Sequence, residues 1–304
     1  YRMNEDVRTK LKASSSGQNM RKRQSPKRKA SKKKEQAPKP TVEIQPIEYE
    51  TQAIEETANV LFKPNAGPQT DFLAAAEREV LYGGSAGGGK SYAMLADPLR
   101  YMGHPAFSGL LLRHTTEELR ELVFKSQELY PKIWPGIKWS ERKMQWTAPS
   151  GARLWMSYLD RDDDVLRYQG LAFSWIGFDE LTQWSTPYAW NYMRSRLRST
   201  APDLPIYMRA TTNPGGRGHH WVKKTFIDPA PYNRAFDATD TDTGDILRYP
   251  AGHEKAGKPL FKRRFIPARL SDNPYLAESG DYEAMLLSMP EQQRRQLLEG
   301  DWDI

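Results

Sequence analysis

From about residue 65 onward, short apolar runs closed by glycine, proline or acidic residues alternate with longer stretches whose apolar positions recur at helical spacing. That rhythm predicts an α/β fold. Glu79–Tyr82 reads as a buried strand feeding a glycine loop, and Gly109–Arg113, Phe173–Phe178 and Pro205–Thr211 read as three more. Lys90–Met102 predicts a helix that Pro98 kinks or ends early. Thr116–Tyr130 predicts an amphipathic helix with a threonine cap, since Leu119, Leu122, Val123 and Leu129 share one face. Met144–Thr147 and Ala152–Tyr158 flank Pro149-Ser150-Gly151, the pattern of a hairpin. Lys262–Arg269 looks like an edge strand, and Tyr282–Leu298 like a helix broken at Pro290.

Composition adds exclusions. The chain has 304 residues and no cysteine, which removes disulfides, thiolate metal sites and a cysteine nucleophile. No apolar run approaches the ~18–20 residues that span a bilayer, and none follows the basic N-terminus as a secretory signal requires. The first residue is Tyr1, not a methionine, so Tyr1 is not expected to be a natural N-terminus.

The net charge of +7 is unevenly placed. Residues 1–40 hold 14 Lys and Arg against 3 Asp and Glu, a balance of +11, and the rest carries −4. With almost nothing apolar to bury, residues 1–40 read as a disordered basic tail, either an arm for nucleic acid or an acidic surface, or a solvated leader. Residues 41–61 read as an acidic linker, and 62–304 as the folded domain.

Three segments carry chemistry. Gly84-Ser85-Ala86-Gly87-Gly88-Gly89-Lys90-Ser91 fits the phosphate-loop pattern, set between a predicted strand and a predicted helix. Glycines let several backbone N–H groups converge on a phosphate, Lys90 reaches the β/γ-phosphates of ATP, and Ser91 is a ligand for Mg²⁺. Trp175–Glu180 is an apolar run ending in two carboxylates. Asp179 suits the metal and Glu180 suits the general base for the attacking water, a pairing expected of a motor or helicase-like ATPase. Ala210–Gly216 follows the fourth strand, and the polar Thr211, Thr212 and Asn213 suit a loop that senses the γ-phosphate.

In this order the segments resemble the ATPase domain of tailed-phage large terminase subunits. Ile176–Glu180, Thr211–Gly215, Gly170-Leu171 and the closing Leu297-Leu298-Glu299-Gly300-Asp301-Trp302 carry the likeness together with the phosphate loop. The resemblance implies a P-loop NTPase of the RecA-like (ASCE) type, with a mainly parallel sheet flanked by helices. It also implies a motor that hydrolyses ATP to drive double-stranded DNA into a procapsid. Implied partners are the portal protein, the small terminase subunit and further copies of the chain in a ring, in host cytoplasm and transiently at the procapsid portal. Pro68-Gln69 resembles the family's adenine-contacting glutamine motif.

The family's arginine finger commonly precedes the glycine equivalent to Gly170, where this chain has Gln169; Arg167 and Arg113 are the substitutes. Large terminases usually continue into a ribonuclease H-like nuclease domain. This sequence stops at Ile304, about where that domain would begin, so nuclease activity is not expected of it.

Other charged groups read as surface. Asp160, Asp162, Asp163 and Asp164 look like turn residues, and His219-His220, lacking a third metal ligand, read as surface or phosphate-proximal histidines. Lys262-Arg263-Arg264 with Arg194, Arg196 and Arg198 are either solvated positions or DNA-phosphate contacts. Two rival functions remain: another DNA-dependent ATPase such as a helicase, or a nucleotide-binding scaffold on a portal or capsid.

Overall fold

A computed structural model describes residues 62–304, so the basic tail and the acidic linker lie outside the described residues. Its centre is a sheet of nine strands in the order β3-β4-β5-β2-β6-β7-β1-β9-β8. The strands are β1 (Glu79–Gly84), β2 (Ser108–Arg113), β3 (Lys138–Ser140), β4 (Gln145–Thr147), β5 (Arg153–Tyr158), β6 (Trp175–Asp179), β7 (Tyr207–Thr212), β8 (Ala235–Asp237) and β9 (Lys262–Ala268). The run from β5 to β9 is parallel throughout, and β3, β4 and β8 add antiparallel margins. The α/β P-loop architecture expected from the sequence is therefore the one observed.

Both faces are covered, as parallel strands require. On one face lie α1 (Pro68–Ala74), α2 (Lys90–Ala96) and α3 (Thr116–Ile133), whose Phe72, Met94, Leu119 and Tyr130 pack on Val80, Leu111 and Trp175. On the other lie α4 (Tyr188–Arg194) and α5 (His219–Val222), where Trp190, Met193 and Val222 meet Leu81, Ile176 and Phe178. The chain closes with α6 (Pro274–Ala277), α7 (Asp281–Leu287), α8 (Glu291–Arg294) and a π-helical turn over Arg295–Glu299. Among the described residues, no helix is long and apolar enough to cross a membrane.

The local signals act as anticipated. Pro98 ends α2 after Ala96, and the chain continues as a 3-10 turn. Thr115 caps α3 through a capping box, its hydroxyl accepting from the Glu118 N–H and the Glu118 carboxylate accepting from its own N–H. The Pro149-Ser150-Gly151 turn joins β4 to β5 as a hairpin.

One expectation fails. β9 is no edge strand: β1 pairs along one side and β8 along the other. Proline is nevertheless tolerated. Phe265 turns its carbonyl outward to the Asn233 N–H, so Pro267, two residues on, faces the same outer side. The three-residue β8 has ended by then, and no ladder bond is lost.

The basic residues of β9 change meaning with it. Arg263 is 1% exposed and donates to Glu79, Arg264 lies 3.7 Å from Glu77, and Lys262 bridges Asp237. Arg194 also pairs with Glu79. Buried ion pairing, and not a DNA-facing edge, accounts for Arg263 and Arg194. Arg196 sits over the Tyr192 ring, and Arg198 donates to the carbonyls of Gly170 and Leu171.

Candidate functional site

The phosphate loop joins the C-terminal end of β1 to the first turn of α2, with Lys90 as the helix's first residue. Its shape is fixed from several sides. The Tyr82 hydroxyl donates to the Gly88 carbonyl at 2.8 Å, and the Asn273 amide donates to the Gly87 carbonyl at 2.6 Å. The Ser85 N–H donates to Ala268 on β9 at 2.8 Å, and the Ala86 N–H to Leu297 at 2.7 Å. Gly87 has φ +77°, and a β-carbon there would stand 2.9–3.0 Å from Tyr282, Leu270 and Leu276. Only glycine meets both demands.

A cleft of about 350 Å³ runs along residues 86–91 and is bounded by Glu180, Asn213, Lys125 and Tyr282. Lys90 is buried, and its ammonium donates to the Ser85 carbonyl. Burial lowers its pKa, while Glu180 and Asp179 oppose that shift.

Asp179 ends β6 and is 1% exposed. One of its oxygens accepts from the Thr211 hydroxyl on β7, and the other from Arg113 at the end of β2 at 2.8 Å. Glu180 follows in the left-handed region, φ 61° and ψ 56°, a conformation costing a non-glycine residue about 1–2 kcal/mol. Such outliers concentrate at functional sites. Burial and the adjacent Asp179 push the Glu180 carboxyl above the usual glutamate range, against the pull of Lys90, Arg113 and the Asn213 N–H. That N–H donates to the Glu180 carboxylate at 3.3 Å.

The Thr211-Thr212-Asn213 loop is wired into this corner. Thr212 shares a 2.7 Å hydroxyl–hydroxyl bond with Thr182, which also donates to the Asn213 carbonyl. The Asn213 side-chain oxygen is buried and has no partner among the described residues, a costly state for an acceptor.

The other expected residues divide. Ser91 lines the cleft beside Lys90. Gln69 is buried, and both ends of its amide are spent on protein: it donates to the Gly89 carbonyl at 2.9 Å and accepts from the Asn65 N–H at 2.6 Å. It braces the loop, and it also borders a neighbouring cavity of about 530 Å³ walled by Phe62, Tyr92, Tyr275 and Leu276.

Arg113 is 12% exposed and held by Asp179 of its own chain, so its guanidinium is not presented outward. Arg167 is 45% exposed, lies over the Tyr158 ring and does not line the cleft. The Asp160–Asp164 cluster forms a turn in which Asp164 caps the N–H groups of Asp160 and Arg161. His219 is buried, stacks on Trp302 and accepts from the Gly215 N–H.

Sequence reasoning missed the walls of the cleft. Lys125 pairs with Glu121 at i,i+4, which in a sequence looks like any solvated helix face. Tyr282 and Asn273 arrive from far along the chain, and nothing local in the sequence ties either to the phosphate loop.

The family model described as phage terminase large subunit matches residues 76–249. The large terminase of the thermophilic bacteriophage D6E, in complex with ADP, superposes with a TM-score of 0.52 at 16% identity, covering 79% of this chain and 54% of that one. A second crystal structure of the D6E protein gives 0.53 at 17%, covering 79% and 53%. The ATPase domain of the Thermus phage P74-26 large terminase gives 0.49 at 13%, covering 79% and 94%. The identities make this a likeness of fold, and the chain spans about half the length of the D6E proteins. No curated protein sequence matches it. With the family model covering more than half of its residues, the chain belongs to the phage terminase large subunit family.

Proposed function

We propose that residues 62–304 form the ATP-hydrolysing domain of a DNA-packaging motor. The observation that carries this reading is the single cleft in which the phosphate loop, Glu180 and Asn213 meet. ATP lies along it with its phosphates on the residue 87–91 N–H groups and the start of α2, where backbone donors and the helix dipole favour anions. The base enters the cavity beside Gln69, between the rings of Tyr92 and Tyr275, with Gln69 acting mainly as the loop's brace.

The donor chemistry suits a hard cation: Ser91 lines the cleft, and the Asp179 carboxylate, near enough to act on the charge of Lys90, would hold the ion through water. Bound there, Mg²⁺ would neutralise phosphate charge. Lys90 exchanges the Ser85 carbonyl for the β/γ-phosphates. Glu180, whose carboxylate its raised pKa makes a stronger base, accepts the proton of the attacking water as the oxygen bonds to the γ-phosphorus and the bond to the ADP oxygen breaks. Asn213, which lines the cleft and donates its N–H to Glu180, holds that carboxylate in line with the water.

In this reading Arg113 is a positioning residue for Asp179. Arg167, exposed and outside the cleft, is the one of the two that a neighbouring copy can meet as an arginine finger. Thr211, Thr212 and Asn213 couple phosphate loss to movement of double-stranded DNA, within a ring of copies on the portal and with the small subunit delivering DNA. The site of action is the procapsid portal in host cytoplasm.

The test is ATP turnover by the chain and by Glu180→Gln, each with and without double-stranded DNA and portal-bearing procapsids. A motor shows hydrolysis raised by the assembled complex and lost by roughly 10²–10⁴-fold in the variant, with nucleotide binding retained. Equal turnover in both proteins would remove Glu180 from the mechanism. Strand separation without a capsid would point to a helicase, and binding without turnover to a scaffold.

A further inference from the structure

The C-terminal residues Arg295–Trp302 touch both moving parts of the proposed site. The last carbonyls of a helix lack partners within it. In the π-helical turn these are filled by the phosphate loop: Leu297 accepts from the Ala86 N–H at 2.7 Å, and Leu298 from the Ser85 hydroxyl at 2.6 Å. From the same turn the Gln296 amide donates to the Pro214 carbonyl at 2.7 Å, one residue beyond Asn213.

Gln296 lies so closely over the coupling loop that a β-carbon on Gly215 would fall 1.6 Å from its nitrogen. A second link reaches the same loop. Trp302 stacks on His219 with centroids 5.4 Å apart, and His219 accepts from the Gly215 N–H at 2.9 Å. Turns of this π type occur often at functional sites.

We infer that Arg295–Trp302 is a clasp that joins the phosphate loop to the coupling loop, and that Gln296 is the positioning residue through which it holds Asn213 against Glu180. The inference rests on the proposed function for its catalytic consequence, though the clasp itself does not need it. Neighbouring residues of one turn grip both loops, so a displacement of residues 85–86 reaches residues 213–215 without passing through Glu180. Gln296 itself lines no nucleotide-binding surface, so its loss acts on turnover and leaves nucleotide affinity alone.

The test compares the wild type with Gln296→Glu, which keeps the shape and removes the donor, and with Gln296→Ala, which removes the side chain. ADP affinity and the KM for ATP are measured beside kcat, and amide hydrogen exchange is followed over residues 211–216. The expected result is unchanged ADP affinity and KM, a kcat lower by about tenfold, the weight of one well-placed hydrogen bond, and faster exchange across residues 211–216 in both variants. Unchanged exchange, or wild-type kcat in both, overturns the inference, and so does a rise in KM at constant kcat, which would make Gln296 a brace of the phosphate loop alone. Absence of hydrolysis by the wild type would sink the proposed function, while the exchange comparison still decides the clasp.

Discussion

Glu79 offers the sharpest test of how the sheet is held together. It opens β1, is 0% exposed, and its two oxygens accept separately from Arg194 and, at 2.7 Å, from Arg263. Glu79→Gln keeps the volume but removes the negative charge and turns an amide donor toward a guanidinium. Arg263, 1% exposed, keeps only the Thr239 carbonyl at 2.6 Å, while Arg194 is 23% exposed and is partly rescued by water. Breaking one partner out of a buried pair costs about 3–5 kcal/mol, and the screening of Arg194 favours the lower half of that range.

For a domain of this size each kcal/mol corresponds to about 2–4 °C, so Glu79→Gln should melt roughly 6–16 °C below the wild type at pH 7. Burial pushes the Glu79 carboxyl up, but Arg263 and Arg194 outweigh it, and its pKa in the folded chain is lowered. A lowered pKa gives stability that is complete above the unfolded value of about 4.3 and is lost as pH falls through the folded value. The gap between wild type and variant should therefore be full at neutral pH and shrink only in strongly acid solution. Differential scanning calorimetry across pH 3–8 measures both. A variant melting within 2 °C of the wild type at pH 7 would refute the reasoning.

Two further predictions are simpler. Thr115→Ala removes the hydroxyl that caps α3 and should cost about 1 kcal/mol, read as a drop of about 2–4 °C in Tm; an unchanged Tm would show the cap to be idle. Because burial and Asp179 raise the Glu180 pKa, its basic form is lost as pH falls through a value above the ordinary glutamate range, so kcat should show an acid limb above pH ~4.3; a limb at or below that value would contradict the assignment.

How much was legible beforehand depended on the range of the signal. Val80-Leu81-Tyr82, Leu110-Leu111-Leu112 and Ile176-Gly177-Phe178 announced their strands because burial on both faces leaves an unbroken apolar run. The Gly84–Ser91 pattern and the Asp179-Glu180 pair were local in sequence and needed only their flanking elements. β3 and β8 are three residues each and have no fully buried position, so no periodicity could build. The edge reading of β9 failed because charge and proline argue for solvent locally, whereas Arg263 is answered by Glu79, 184 residues away. Gln69 shows what local signals leave out at the site: the resemblance pointed to adenine, and its contacts with Gly89 and Asn65, which brace the loop, emerge only from the fold.

The position of β7 between β1 and β6 carries a dimensional consequence. Neighbouring strands stand about 4.8 Å apart, so the strand bearing the phosphate loop and the strand bearing the carboxylates are separated by about 9–10 Å. Because β7 ends at Thr212 between them, the loop that carries Asn213 leaves the sheet from the interposed strand and reaches the same cleft as Lys90 and Glu180.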